Sequence, residues 1–273
     1  MNVTVLGVGA WGTALGKLLY EGQHNVTLWG HNPQHLDQIR RTGRNEPYLP
    51  GIALPRDWRL ETDPTKAVHD SECVIVAVPS KAFREVTRCL ANYTGVVVSV
   101  TKGIEHDTGL TMCGILRENA PRALTAALSG PTLALEVARG IPTAIVAASA
   151  DIQTAPKVQQ LFHRQIFRVY TSTDLLGVEL GGALKNVIAI AAGVSDGLGF
   201  GERLGRGERV ADILASMVNV AEGYPTARSA WQLGHKLNVA TPIIDEVYAL
   251  LYEGKNPARA LRDLTSRESK AED

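Results

Sequence analysis

Three groups of residues have types and spacings suited to chemistry. Gly7-Val8-Gly9-Ala10-Trp11-Gly12 has the form G-x-G-x-x-G, directly after an apolar run and directly before a helix-like one. Such a turn uses glycine for the tight bend at Gly7, for close approach to a pyrophosphate at Gly9 and for helix–strand packing at Gly12. The helix start beyond it, at Ala10, offers amides and a positive dipole end to phosphates. A turn that serves packing alone is the plainer alternative. The second group is Thr101-Lys102-Gly103 with Ser129-Gly130-Pro131-Thr132. Each follows a strand-like run, where open α/β sheets hold their ligands. Lys102 there sets a cation near cofactor and substrate, or is a solvated turn lysine. Gly130 and Thr132 present an amide and a hydroxyl, suited to a hydroxyl or carbonyl oxygen. The third is Gly181-Gly182-Ala183-Leu184-Lys185-Asn186. At helical spacing Lys185 shares a face with both glycines. Each glycine costs roughly 1 kcal/mol against alanine in a helix. Two readings supply a reason: an ammonium facing a ligand across a smooth surface, or close helix packing with Lys185 reaching water.

The elements that must position these groups are legible as two regimes. Up to about Ser172, β-branched runs alternate with amphipathic segments. The runs are Val3–Leu6, Val26–Trp29, Cys73–Val78, Val96–Val100, Ala123–Leu128, Thr143–Ala147 and Phe167–Thr171, and several are apolar throughout, as parallel strands covered on both faces are. Helices are expected over Ala14–Gly22, Pro33–Arg41, Lys81–Ala91 and Thr154–His163. This alternation predicts an α/β fold, a Rossmann-type doubly wound sheet. Gly43 to Asp63 reads as a long Pro- and Gly-marked excursion. Beyond Asp174 the β pattern stops; Leu175–Val194 reads as one long apolar helix, and Thr241-Pro242 opens another through Leu251. The expected domains are therefore 1–172, a dinucleotide-binding unit; 173–265, a smaller all-helical unit; and 266–273, a polar tail.

Composition bounds the partners. Lysine plus arginine and aspartate plus glutamate number 28 each in 273 residues, so the chain lacks the charge footprint of a nucleic-acid or anionic-membrane binder. Cys73, Cys89 and Cys113 are widely spaced and show no C-x-x-C pairing, which fits a reducing compartment. The histidines show no metal-binding spacing. The chain opens without a basic leader and reads as having no apolar stretch near membrane-spanning length. A cytoplasmic setting follows as the expectation. The acidic residue that usually follows the second strand and bonds the adenine ribose is replaced by Trp29-Gly30-His31-Asn32, with Arg40 and Arg41 beyond. NADP is thereby permitted alongside NAD. His31 covers the adenine or ribose, or is a plain loop residue.

Several strings, in order, resemble one family: G-V-G-A-W-G-T-A-L, L-W-G-H, A-V-P-S, T-K-G-I-E, S-G-P-T-L-A-L-E and G-V-E-L-G-G-A-L-K-N-V-I-A-I-A-A-G-V-S-D-G. These look like the bacterial NAD(P)-dependent glycerol-3-phosphate dehydrogenases, almost continuously from Met1 to about Gly201. The match resumes at V-A-E-G-Y (220–224) and T-P-I-I-D-E-V-Y-A-L-L-Y (241–252). The resemblance implies reversible hydride transfer between NAD(P)H and dihydroxyacetone phosphate, giving sn-glycerol 3-phosphate for phospholipid synthesis, and a homodimer. Lys185 matches the family's proton donor and acceptor, with Asn186 beside it on the substrate. Lys102 matches a contact to both substrate and cofactor, and Gly130 and Thr132 match substrate contacts. Gly7, Gly9, Ala10, Trp11, Gly12, His31, Ala134, Val220 and Glu222 fall on the cofactor side. Reducing a ketone needs a proton as the oxygen gains charge, and a partly desolvated lysine can supply one.

One departure stands against full activity. After Gly199-Phe200-Gly201 the family continues through helices that carry a G-L-G-D loop and an S-R-N segment holding the substrate phosphate. Roughly fifty residues, about four average helices, are missing here, and Arg203 and Arg206 are the nearest basic substitutes. Loss of a buried charge partner costs ~2–5 kcal/mol, roughly thirtyfold to several thousandfold in rate. Two alternatives therefore stand beside the enzyme reading: a non-catalytic dinucleotide-binding protein of the same descent, and a dehydrogenase of similar architecture with another substrate. The long run around Lys185 argues against the latter.

Overall fold

A computed structural model describes residues 1–196, 199–216 and 223–266. It divides into two compact units, one of 1–102 with 110–182 and the other of 103–109 with 183–273. The division falls ten residues beyond the expected boundary at 172, because the first turns of the long helix pack with the sheet.

The first unit begins β1 (Asn2–Leu6), α1 (Ala10–Glu21), β2 (Asn25–Trp29), α2 (Pro33–Thr42), β3 (Arg44–Asn45), β4 (Leu49–Ala53), β5 (Arg59–Glu61), α3 (Pro64–Val68), β6 (Cys73–Val76) and α4 (Ser80–Thr87). It continues with β7 (Val96–Ser99), α5 (Met112–Asn119), β8 (Leu124–Ser129), α6 (Ala134–Ala138), β9 (Thr143–Ala148), α7 (Thr154–Phe162) and β10 (Phe167–Ser172). Eight strands form one sheet in the order β10-β9-β8-β7-β6-β1-β2-β5, while β3 and β4 make a separate hairpin. Alternate residues of each strand feed different cores. Val3, Val5, Cys73, Ile75 and Val98 face one apolar cluster, whereas Leu6, Val74, Val76 and Val97 face the other. Both faces are therefore covered, the condition that makes these strands apolar throughout.

Two features depart from the sequence expectation. The excursion from Gly43 to Asp63 is ordered: it forms the β3–β4 hairpin and then β5, which joins the sheet parallel to β2. Strand β9 runs antiparallel to β8, with Ser129 opposite Val146. That reversal has a consequence for the site. A parallel β9 would oblige residues 130–142 to cross back over the sheet face. An antiparallel one leaves them, with α6, at the edge where β8 ends.

Apart from the turn segment 103–109, the regular elements of the second unit are helices among its described residues. It takes the later part of α8 (Leu175–Asp196), then α9 (Gly199–Gly205), α10 (Val210–Ser216), α11 (Gly223–Lys236), α12 (Pro242–Tyr252) and α13 (Pro257–Thr265). Val187, Ile190, Leu204, Ile213, Ala227, Val247, Leu250, Leu251 and Ala260 form its core. A ladder of rings runs Trp231–Tyr248–Tyr252–Tyr224, with centroids 4.1, 5.1 and 4.8 Å apart. Helix α8 also corrects one reading. Its stretch Leu175–Ala192 is long and apolar enough to cross a membrane, with mean hydropathy 1.5.

Candidate active site

The glycine turn is built as its spacing requires. Gly7 sits at φ +123°, and a Cβ there would lie 2.6 Å from Ala77 O; one on Gly12 would lie 2.1 Å from Gly7 O. Both positions thus exclude any side chain. Gly9 is different, since nothing lies within 4 Å of its Cβ position. It is also the residue before α1, whose N-terminus no side chain caps. Unpaired amides beside open space are what a pyrophosphate takes up.

Behind the turn lies a network that the sequence did not disclose. Asn45, wholly buried, donates from Nδ2 to Val8 O at 2.9 Å and to Thr13 Oγ1 at 2.8 Å. Its Oδ1 is 2.8 Å from His35 Nε2. His35 lies in the first turn of α2, where Asn32 accepts its backbone N–H at 3.1 Å. Nothing in the sequence around Asn45, an irregular stretch rich in proline and glycine, signals this role.

The carboxyl ends of the central strands collect the other first-unit candidates. Thr101 Oγ1 donates to Val78 O at 2.7 Å, tying the ends of β6 and β7 together beside Lys102. A Cβ on Gly182 would stand 2.3 Å from Ser129 Oγ and 3.8 Å from Lys102 Cγ. Lys102, the end of β8 and the first half of α8 therefore meet. Gly130 and Thr132 follow in the segment that β9 keeps at this edge, and α6, beginning at Ala134, packs on α1. Thr132 Oγ1 and Trp11 Nε1 are both buried without a hydrogen-bond partner among the described residues. Two orphaned polar atoms, on residues that the resemblance would set against substrate and cofactor, fit a site that a ligand completes. His31 is exposed.

The paired glycines of α8 are not equivalent. Gly182 is buried and in close contact, whereas Gly181 is exposed with nothing within 4 Å of its Cβ position. Close packing accounts for the first only. Lys185 is half-buried one turn further along α8. In the second unit a Cβ on Gly223 would lie 2.6 Å from Asn186 O, so the start of α11 approaches α8 directly at that residue. Val220 and Glu222 lie outside the described residues.

Glu179 anchors the start of α8. Its carboxylate accepts the Cys113 N–H and the Thr111 hydroxyl, both at 2.8 Å, at the N-terminus of α5. Burial raises its pKa, with the Cys113 and Thr111 hydrogen bonds opposing the shift. The Cys113 thiol is pushed well up by the same burial and by Glu179, so it stays protonated.

Arg203 and Arg206, the candidate substitutes for a phosphate clamp, are both engaged. Arg203 places Nε and Nη2 on Glu208 at 3.0 and 2.6 Å, and Nη1 on Ser216 Oγ at 2.6 Å. Arg206 pairs with Glu202.

Together these features define a Rossmann-type dinucleotide-binding unit joined to a helical one. Models of the N-terminus and C-terminus of NAD-dependent glycerol-3-phosphate dehydrogenase match residues 2–155, and 174–203 with 199–262. The chain belongs to the NAD(P)-dependent glycerol-3-phosphate dehydrogenase family. It is 39% identical to the glycerol-3-phosphate dehydrogenase (NAD(P)+) of Syntrophotalea carbinolica, covering 100% of this chain and 99% of that one. The Chlorobium limicola protein of the same name is 37% identical, with 100% and 99% covered. Among solved structures, glycerol-3-phosphate dehydrogenase from Coxiella burnetii superposes with a TM-score of 0.92 at 27% identity, covering 97% and 99% of the two chains. The S. carbinolica alignment extends over 332 positions, to which this chain supplies 273 residues. The C-terminal model matches in two pieces that meet at 199–203, which places the shortening there. The cofactor is NAD or NADP, as the family's N-terminal model and the relatives' names have it.

Proposed function

We propose that this chain catalyses reversible hydride transfer between NAD(P)H and dihydroxyacetone phosphate, forming sn-glycerol 3-phosphate in the cytoplasm for phospholipid synthesis, with turnover impaired by the missing stretch. The family match through 174–203 supports the reading, because that stretch includes Lys185 and Asn186 and follows the match of the sheet unit. A bound nicotinamide supplies the hydride. In this reading the Lys185 ammonium gives its proton to the ketone oxygen as charge develops there, and withdraws it in the reverse direction. Lys102 lends a second positive charge, while the Gly130 amide and the orphaned Thr132 hydroxyl hold the substrate. Asn186 completes the substrate side, with Val220 and Glu222 on the far wall of the cofactor site. A homodimer without membrane insertion goes with this reading.

The engaged state of Arg203 and Arg206 favours a second reading, a dinucleotide-binding protein without turnover. Purified protein with NADPH and dihydroxyacetone phosphate, followed by loss of cofactor absorbance, separates the two. Turnover that Lys185→Ala lowers by about 10²-fold or more supports the enzyme. Tight NADPH binding without turnover supports the binding protein.

A further inference from the structure

We infer that Asn45 is a positioning residue for the cofactor, acting by aiming the Gly9 amide. This rests on the glycine turn being the dinucleotide site. Val8 O accepts two hydrogen bonds, from Asn45 Nδ2 at 2.9 Å and from Thr13 Oγ1 at 3.3 Å, which uses both lone pairs of that carbonyl. The peptide joining Val8 to Gly9 is planar and trans, so its C=O and N–H point in opposite directions. Holding the Val8 oxygen inward, against two buried donors, turns the Gly9 N–H outward, and a Cβ built on Gly9 would meet nothing within 4 Å.

The orientation of Asn45 follows from the same contacts. A carbonyl accepts only, so the atom of Asn45 facing Val8 O is Nδ2, and Oδ1 faces His35. His35 Nε2 must then carry a hydrogen and donate it. The chain of bonds runs Asn32–His35–Asn45–Val8, from the turn after β2 to the turn after β1. These are the places where a Rossmann unit meets the adenosine ribose and the pyrophosphate. One buried amide, carried on β3, thus ties the two turns to each other.

The test is NADPH affinity by titration of cofactor fluorescence, with far-UV circular dichroism as the check on folding. Asn45→Ala is expected to raise the dissociation constant at least about tenfold in folded protein, the scale of one lost buried hydrogen bond. Asn45→Asp is expected to be worse than Asn45→Ala, because it sets an acceptor against the Val8 oxygen. A merely structural asparagine would lower the unfolding midpoint and leave the affinity of folded protein unchanged. Folded Asn45→Ala binding NADPH within twofold of the parent overturns the inference. Should that variant not fold, Thr13→Val takes its place: a weakening of about threefold or more supports the inference, and unchanged affinity overturns it. Failure of the parent chain itself to bind NADPH or NADH would instead remove the cofactor reading, and this inference with it.

Discussion

Gly182 lies so close to Ser129 that a single methyl group on its Cα would stand 2.3 Å from the serine Oγ. Gly181, its neighbour, meets nothing within 4 Å. The two glycines should therefore respond oppositely to alanine. Gly182→Ala forces the Ser129 hydroxyl to rotate aside and should destabilise by roughly 1 kcal/mol. Gly181→Ala relieves a helix interior of a poor former and should stabilise by about 1 kcal/mol. Urea unfolding of the two variants checks both signs.

At Gly12 the obstacle is backbone, the Gly7 carbonyl 2.1 Å away, and backbone cannot rotate aside as a serine can. Gly12→Ala should push α1 off the turn and weaken NADPH binding by about tenfold or more, the effect of one misplaced charge-assisted hydrogen bond. Gly9→Ala has open space in the free protein and should fold normally, yet weaken NADPH too if phosphate occupies that space. Fluorescence titration with folding controls distinguishes the two causes.

The glycine turn was legible because all its parts are adjacent in sequence. Asn45 was not, since it lies 37 residues from Val8, on a two-residue strand with no period to betray it. Brevity likewise hides β5, three residues long, while β4, LPGIA, is masked by its own proline and glycine. The apolar run of β9 predicts a strand but not its direction, because such a run reads the same whether its partner is parallel or reversed. Lys185 stood out because a lysine beside paired glycines breaks the pattern of an apolar helix. Only the structure separated Gly181 from Gly182. The shortening near Gly201 was legible from the interrupted family motifs, and the two-piece match at 199–203 agrees with it.

Glu179 gives stability a pH dependence of predictable sign. Burial raises its folded pKa above the ordinary 4.5, so the native state holds the proton longer than the unfolded chain. Its contribution is fully present below 4.5, falls as pH rises through the folded value, and stays lower towards neutrality. Glu179→Gln should flatten that fall, since the amide can accept the Cys113 N–H and donate to the Thr111 hydroxyl. Glu179→Ala should cost about 1–3 kcal/mol for each buried donor it strands. Unfolding curves measured from pH 4.5 towards neutrality check this; a Gln variant with the parent's slope would contradict it.

Arg203 is held by Glu208 and Ser216 through Nε, Nη1 and Nη2, so reaching a phosphate would cost it those contacts. Glu208→Gln releases much of that hold. If the arginine could serve the substrate, the variant's KM for dihydroxyacetone phosphate should fall. The geometry favours the opposite outcome, a KM within about twofold of the parent, the scale expected of a solvent-exposed pair. Steady-state kinetics, or substrate-dependent protection from unfolding where turnover is too slow, reads the difference.

The shortening itself makes the last prediction. Both arginines near the break are paired, so the deficit should lie in holding the substrate phosphate rather than in binding cofactor. The sheet unit is matched by the family over residues 2–155 without interruption, and NADPH affinity should be that of an intact family member. A chimaera that receives the corresponding stretch of the S. carbinolica protein at 199–203 should leave the NADPH dissociation constant within about twofold and raise kcat/KM for dihydroxyacetone phosphate by roughly thirtyfold or more, the rate equivalent of one restored charge partner. An equal gain in NADPH affinity would locate the defect in the cofactor site instead. No gain at all in a folded chimaera would show that the short chain already holds its substrate by other means.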